Sequence, residues 1–197
     1  MPFTLGASTL TSDQFTTAIH TSRMPGEVPT PTVGEDSRAV ARQVASLVPD
    51  GATLQFGIGA LPEAVLAELF GHQDLGIHTG IINDTAMRLI EAGVANGSRK
   101  TIDRDIAVAG FFGGTRDLFG WAHRNPAVEL RSTTHTHDSA VLAGSHQLVA
   151  INAAIEVDLT GQVVADSIGS HIYSGIGGQM DFIWGANLAS GGRAIIA

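Results

Sequence analysis

Apolar and polar positions alternate along the chain in a way that predicts short strands separated by helices. Short apolar runs bounded by Gly, Asp or polar residues predict strands over 53–56, 76–79, 105–110, 128–131 and 148–152. Apolar residues at three- and four-residue spacing predict helices over 37–47, 62–70, 84–92, 116–124 and 139–143. Strands that alternate with helices imply βαβ crossovers, so we expect an α/β fold, a mostly parallel sheet flanked by helices.

Three residues mark the expected helix starts. Ser37 can cap the first helix through its hydroxyl, and Asp84 can cap the third helix through its carboxylate. Pro62 suits the first turn of the second helix, where its missing N–H has no partner to lose.

Residues 1–34 differ from the rest of the chain. They hold four of the seven prolines and many Ser and Thr residues, with no clear period. This composition predicts an extended N-terminal arm or linker, followed by one α/β domain over 35–197.

Composition narrows the class of protein. The 197 residues are 44% hydrophobic and 15% charged, which excludes disorder, and cysteine is absent, which excludes disulfides and thiolate metal sites. A net charge of −8 with a single lysine, Lys100, disfavours a nucleic-acid partner. No apolar run has the length of a membrane span, and no signal peptide is visible at the start. We therefore expect a cytoplasmic protein.

Two glycine clusters are candidate ligand loops. The first, from Gly57 to Pro62, follows a predicted strand and enters a helix, a geometry in which backbone amides can face an anion. It lacks the third glycine of a dinucleotide fingerprint, and a plain strand-to-helix turn stays open as an alternative. The second, 174–182, can form an anion nest or an ordinary loop. Because parallel strands end at one edge, Gly57, Thr79 and Asn152 are expected near each other.

Titratable residues give weaker signals. His135 and His137 can lie on one side of a strand as a metal pair, but spacing supplies no third ligand, and we expect no metal. His78, at a strand end, has a structural hydrogen-bonded alternative. Glu156 and Asp158 interrupt an apolar stretch, where one can serve as a base or both can be structural acids.

Several long motifs in the same order carry a family resemblance. They are 50–62 (DGATLQFGIGALP), 75–79 (LGIHT), 151–163, 173–182 and 191–197. With them the chain resembles the acetyl-CoA hydrolase/transferase family, which includes acetate and 4-hydroxybutyrate CoA-transferases. The resemblance implies a CoA-transferase-like second domain that is C-terminally incomplete, since intact relatives have a domain before it and continue beyond residue 197.

The resemblance also implies a CoA-transfer reaction, and this chain lacks one residue that the reaction needs. Family members transfer CoA between short-chain acids through a glutamyl-CoA intermediate, formed by a glutamate directly after the His-Thr pair of a strand. That position is Gly80 here. Glycine has no atom that can hold an acyl group or CoA, so we expect transferase activity to be absent.

Other positions are implied by the same resemblance. Gly57, Ile58, Gly59, Ala60 and Leu61 correspond to the loop that lines the CoA and acyl site. Further CoA contacts correspond to Ile155, Gly177 and Gly178. Glu156 is the family's acid in its segment and is kept as a substitute base. No covalently bound cofactor is expected, and CoA or acyl-CoA is the substrate.

Two alternatives to a transferase stay open. One is an acyl-CoA hydrolase in which water attacks the thioester, with Glu156, Asp84 or His78 as base. The other is a non-catalytic CoA-binding or assembly subunit. For either, the expected partners are CoA, short-chain acyl-CoA or carboxylates, and a homo-oligomer or a partner chain that supplies the missing domain.

Overall fold

A six-stranded parallel sheet forms the centre of the chain in a computed structural model that describes residues 2–6, 10–175 and 177–197. All its neighbouring strands run parallel, in the order β10-β5-β1-β2-β3-β4. The strands are β1 (Thr53–Phe56), β2 (Gly76–Ile82), β3 (Ala107–Phe112), β4 (Val128–Leu130), β5 (Leu148–Asn152) and β10 (Arg193–Ile196). The predicted α/β class is confirmed.

Helices cover both faces of this sheet. One layer contains the helices that contact each other in sequence, α1 (Glu35–Ala45), α2 (Ala60–Glu68), α3 (Asp84–Glu91) and α4 (Arg116–Ala122). The other layer contains α5 (Thr133–Thr136), α6 (Ser139–Ala143) and α7 (Gln179–Leu188). The change of layer follows from the strand order. From β1 to β4 the strands are added in one direction, and from β5 to β10 they are added in the other, so right-handed crossovers place their helices on opposite faces of the sheet.

The core is divided between the two layers. Val149 and Ile151 of β5 pack in the larger cluster with α1 to α4. Leu148 and Ala150 pack in the smaller cluster against Phe182 of α7. Successive side chains of a strand point to opposite faces, so a strand buried on both sides needs an unbroken apolar run, which β5 has.

Two short antiparallel hairpins lie between β5 and α7 and were not predicted. They are formed by β6 (Glu156–Val157) with β7 (Val163–Val164), and by β8 (Ser167–Ile168) with β9 (His171–Ile172). Strands of two residues leave no period in the sequence. The first hairpin turn is held by the Asp158 carboxylate, which accepts bonds from the amides of Thr160 and Gln162.

Several predicted boundaries are wrong. Ser37 lies inside α1, which is preceded by Gly34, and Pro62 is the third residue of α2 rather than the first. Asn83, not Asp84, caps α3, because its side-chain oxygen accepts the Ala86 amide at 2.9 Å.

Asp84 does not cap α3 as predicted but binds Thr115 instead. It is the first residue of α3, and its carboxylate accepts bonds from the Thr115 amide at 3.0 Å and the Thr115 hydroxyl at 2.5 Å. The carboxylate therefore ties α3 to the start of α4.

Parts of the first 34 residues lie against the sheet and α4. Leu5 forms a parallel bridge with Glu129 beside β4. Further along, Val28 N donates to Gly114 O at 3.0 Å, and Glu27 pairs with Arg116 at 2.8 Å. A short 3-10 helix covers Ser12–Gln14. The division into an arm and a domain at residue 34 stays a prediction.

No described helix of the chain combines the length and the apolar character that crossing a bilayer requires.

Candidate active site

The strand order changes direction at β1, and the ends of β1 and β5 meet there. The chain leaves β1 toward β2 on one side, whereas β5 lies on the other side and leads to β10. Directly after β1, Gly57 N donates to Ile151 O at 2.9 Å. A Cβ on Gly57 would lie 3.3 Å from Oδ1 of Asn152, the last residue of β5. Open parallel sheets bind ligands at such a point.

The loop from β1 to α2 is exposed at this edge. Ile58 is 75% exposed despite its apolar side chain. Gly59 has φ +117°, a conformation that favours glycine, and it immediately precedes α2. Ala60 and Leu61 form the first turn of that helix. The loop therefore presents backbone and one apolar side chain to anything bound at the edge.

A buried carboxylate lies directly after the β1–α2 loop, in the first turn of α2. Glu63, in the first turn of α2, is 6% exposed. Its carboxylate accepts bonds from Asn83 Nδ2 at 2.5 Å and from the Thr85 hydroxyl. A negative charge near a helix N-terminus is stabilised by the helix dipole. This network joins α2 to α3 just beyond the end of β2.

Gly80 lies within β2. The sequence pattern had placed it directly after a strand that ended at Thr79. β1 pairs with β2 through Thr53 and Gly76, and the Thr79 hydroxyl donates to Phe56 O at 3.2 Å, so the residues before Gly57 and Gly80 are in contact. A Cβ on Gly80 would lie 3.9 Å from Nε2 of His137 and 4.0 Å from the ring of Phe182. A side chain at position 80 would therefore point toward α5 and α7 at ordinary contact distance.

Gly178 meets the same histidine from α7. A Cβ on Gly178 would lie 2.2 Å from Nε2 of His137, closer than real Cβ atoms approach, so glycine leaves the room that the imidazole fills. The ring centroids of His137 and Phe182 are 4.6 Å apart. Gly80 and Gly178 therefore converge on one imidazole, although nearly a hundred residues separate them.

Sequence reasoning missed the role of His137. It paired His137 with His135 on a strand, but the segment forms α5, and the two rings have different surroundings. His135 Nε2 lies 2.7 Å from Asp103 Oδ2, and His137 Nδ1 lies 2.8 Å from the Thr136 hydroxyl. The only sequence signal was a histidine among Ser and Thr residues.

His78 is a buried, structurally bonded histidine. Its Nε2 donates to Thr136 O at 3.1 Å, and its side chain is fully buried. Burial, followed by the nearby charge of Lys100, lowers the pKa of His78 to about 4. Lys100 is also buried, and it donates to the carbonyls of Ile77 and Ile106. Burial lowers the pKa of Lys100 to about 8.

His78, Asp103 and His135 form the one group among the described residues that has the spacing of metal ligands. Their candidate atoms lie within 4.8 Å of one another. Arg131 lies 3.6 Å from Asp103, and the Lys100 charge acts on His78, so two cations already occupy the surroundings. This charge balance favours a structural network over a cation site.

The other predicted site residues have no described contact with Gly80 or His137. Ile155 and Glu156 lie at the exposed β6–β7 hairpin, where Ile155 N donates to Val164 O at 2.8 Å. Gly177 has open space around it, and Ile176 lies outside the described residues. Asp84 is bonded to Thr115, as described above.

The N-terminal segment covers one side of this edge. A cleft of about 60 Å³ lies between residues 28–31 and the ends of β1, β2 and β3. Its lining is Val28, Pro29, Thr30, Pro31, Ile58, Gly59, Glu63, Ile81, Asn83, Asp84 and Gly113. Ile58 and Gly59 of the β1–α2 loop are therefore shared between the cleft and the sheet edge.

The chain is similar in sequence to known CoA-transferases and acetyl-CoA hydrolases. Over 197 residues the chain is 43% identical to a 4-hydroxybutyrate coenzyme A transferase of Clostridium kluyveri, covering all of this chain and 46% of that protein. It is 28% identical over 186 residues to an acetyl-CoA hydrolase of Saccharomyces cerevisiae, covering 87% of this chain and 34% of that one. The chain thus spans less than half the length of these relatives.

A solved structure and a family profile match the same group of proteins. The crystal structure of a 4-hydroxybutyrate CoA-transferase from Porphyromonas gingivalis superposes with a TM-score of 0.87 and 34% identity, over 100% of this chain and 46% of that one. Residues 114–197 match the profile of the acetyl-CoA hydrolase/transferase C-terminal domain. The sheet therefore has a known architecture, and the chain is a member of the acetyl-CoA hydrolase/transferase family.

Proposed function

We propose that this chain binds CoA thioesters at the carboxyl edge of its sheet and does not transfer CoA through a covalent intermediate. The observation that carries the proposal is the contact between Phe56 and Thr79, the residues directly before Gly57 and Gly80, with the exposed β1–α2 loop beside it. The family resemblance assigns the loop from Gly57 to Leu61 to the CoA and acyl site. It assigns the covalent carboxylate to the position that Gly80 occupies.

The charges of the chain restrict how CoA phosphates are bound. The single lysine is 4% exposed and bonded to two backbone carbonyls, so it cannot reach a ligand at the surface. The two glycine loops, 57–62 and 174–182, contain no lysine or arginine, so their backbone amides are the phosphate donors that we expect there.

Titration calorimetry with CoA and acetyl-CoA tests the proposal. Replacing Ile58 by Asp is expected to weaken acetyl-CoA binding about tenfold or more, equal to about 1.4 kcal/mol, because a carboxylate on the exposed loop repels an anionic ligand. Val40→Asp is the matched control. It makes the same change of charge at a half-exposed apolar position of α1 and should leave the affinity unchanged.

Two results would count against this assignment. Equal affinity in Ile58→Asp and the unmodified chain would remove the β1–α2 loop from the site. No heat and no thermal shift with either CoA or acetyl-CoA, at ligand concentrations up to the millimolar range, would overturn the proposed binding function.

A second candidate function is assembly, and α7 favours it. Met180, Trp184 and Leu188 lie four residues apart and are all more than half exposed. Exposed apolar side chains on one helix face are typical of an association surface. We infer that a second copy of the chain covers this face. The alternative partner is a separate chain that resembles the part of the relatives that this chain does not match.

The assembly candidate predicts a concentration-dependent mass. Light scattering after size-exclusion chromatography is expected to show a dimer or higher oligomer that Trp184→Asp shifts to the monomer, since the charge would be buried without a partner. Phe70→Asp is the control, because Phe70 is exposed in the opposite helical layer. A monomer at all concentrations for the unmodified chain would contradict self-association.

A further inference from the structure

His137 is the residue that faces Gly80 most closely. Two of the three nearest atoms to a Cβ built on Gly80 belong to its imidazole, Nε2 and Cε1, both at 3.9 Å. The third belongs to Phe182, whose ring packs against the imidazole. Because glycine has no Cβ, the Cβ position next to Nε2 is left free by the described residues, none of which, chain neighbours aside, comes closer to it than 3.9 Å.

The other nitrogen of the ring is held by Thr136. Its hydroxyl lies 2.8 Å from Nδ1, and the same hydroxyl lies 3.4 Å from Ser132 O, to which it can donate. When it does, it accepts the Nδ1 proton, and the lone pair of the neutral ring is on Nε2, toward Gly80. A base whose second nitrogen is fixed by a neighbouring group is the usual arrangement for proton abstraction.

The bases suggested by the sequence are engaged or exposed elsewhere. His78 donates its Nε2 proton to Thr136 O, and both Asp84 oxygens accept bonds from Thr115. Glu156 stands on the exposed β6–β7 hairpin. Buried Glu63 accepts bonds from Asn83 and Thr85. His137 differs from all of them because its Nε2 faces the strand position itself.

We propose that His137 is the general base of an acyl-CoA hydrolase reaction at Gly80, an inference that rests on the proposed binding of CoA thioesters. A water molecule in the space beside Gly80 gives a proton to Nε2 and attacks the thioester carbonyl carbon. The C–S bond of the tetrahedral intermediate then breaks, and the imidazolium returns the proton to the CoA thiolate. One acyl-CoA and one water yield one carboxylic acid and one free CoA, with no further reactant.

The test measures release of free thiol from acetyl-CoA by the whole chain, together with acetyl-CoA affinity by calorimetry. His137→Gln is expected to lower the turnover rate about 10²- to 10⁴-fold, the usual contribution of a general base, with the affinity unchanged. His146→Gln is the matched control, since His146 precedes β5 at the opposite edge of the sheet, and it should keep full activity. In water labelled with ¹⁸O, the acetate produced should carry one labelled oxygen.

A second variant leaves the imidazole in place. Gly80→Ala fills the space for water with a methyl group, and it is expected to abolish hydrolysis while the fold is retained, because the added Cβ makes only ordinary contacts. Equal turnover in His137→Gln and the unmodified chain would overturn the assignment, as would binding of acetyl-CoA without any hydrolysis. Absence of binding would overturn the proposed function as well, so the two failures are distinguishable.

Discussion

Incubation of the chain with an acyl-CoA and a carboxylate acceptor is expected to give no exchange of CoA between them. In the proposed function, the covalent carboxylate of the family corresponds to position 80, where Gly80 supplies none. Removing a covalent nucleophile from an enzyme costs on the order of 10⁴- to 10⁶-fold in rate. Chromatographic separation of the two acyl-CoA species at successive times measures the exchange directly.

The Gly80→Glu variant is expected to form a glutamyl-CoA adduct. Gly80 lies in ordinary strand conformation, and a Cβ there meets His137 and Phe182 at 3.9 and 4.0 Å, so the backbone accepts a Cβ at this position without strain. Mass spectrometry after incubation with acetyl-CoA, with borohydride to reduce an enzyme thioester, detects the adduct. Gly80→Gln has the same size without the carboxylate and is the matched control. Transferase turnover by the unmodified chain, or an adduct on Glu156, would show that the nucleophile has been placed wrongly.

Acidification from pH 7 to pH 4 is expected to lower the free energy of unfolding by about 3 kcal/mol through His78 alone. Its pKa falls from 6.5 in the unfolded chain to about 4 in the fold, because burial opposes the charged ring. The unfolded chain therefore binds the proton first. This contribution is fully present above pH 6.5 and is lost as the pH falls toward 4.

Urea unfolding at half-unit steps of pH measures this loss. His78→Gln keeps an N–H donor for the Thr136 carbonyl and has no titrating ring, so its stability should change much less over the same window. His146→Gln retains His78 and should follow the unmodified chain. A parallel acid loss in His78→Gln would assign the effect to other groups.

The sequence predicted five of the six strands of the sheet and missed β10, at its edge. The best predictions are the strands that are buried on both faces. β1 and β5 were predicted with their observed ends, since a run such as Leu148 to Asn152 fits neither a loop nor a one-sided helix. β2 was ended too early at Thr79, because a glycine within a strand weakens the pattern on which the prediction depends. Its continuation is held by pairing with β3, a long-range contact that no local pattern contains.

The candidate site was predicted in part for the same reason. The predicted proximity of Thr79 and Asn152 to the end of β1 follows from a parallel sheet, and the contacts of Thr79 with Phe56 and of Asn152 with Gly57 confirm it. The approach of His137 to Gly80 does not follow from any local pattern. It depends on a four-residue helix, α5, placed against β2 and β3 by tertiary contacts.

The position of β1 between β2 and β5 also constrains synthesis of the chain on the ribosome. β1 can pair with β2 as soon as the two strands have emerged, but its other edge waits for β5, which follows only after β3, β4 and four helices have been made. During that interval the nascent chain has an unpaired apolar strand edge, the usual starting point for intermolecular pairing. The opposite border is protected early, because Leu5 already lies beside β4. Recruitment of a chaperone to the nascent chain is therefore expected to be strongest before Leu148 emerges and to fall once β5 has been added to the sheet.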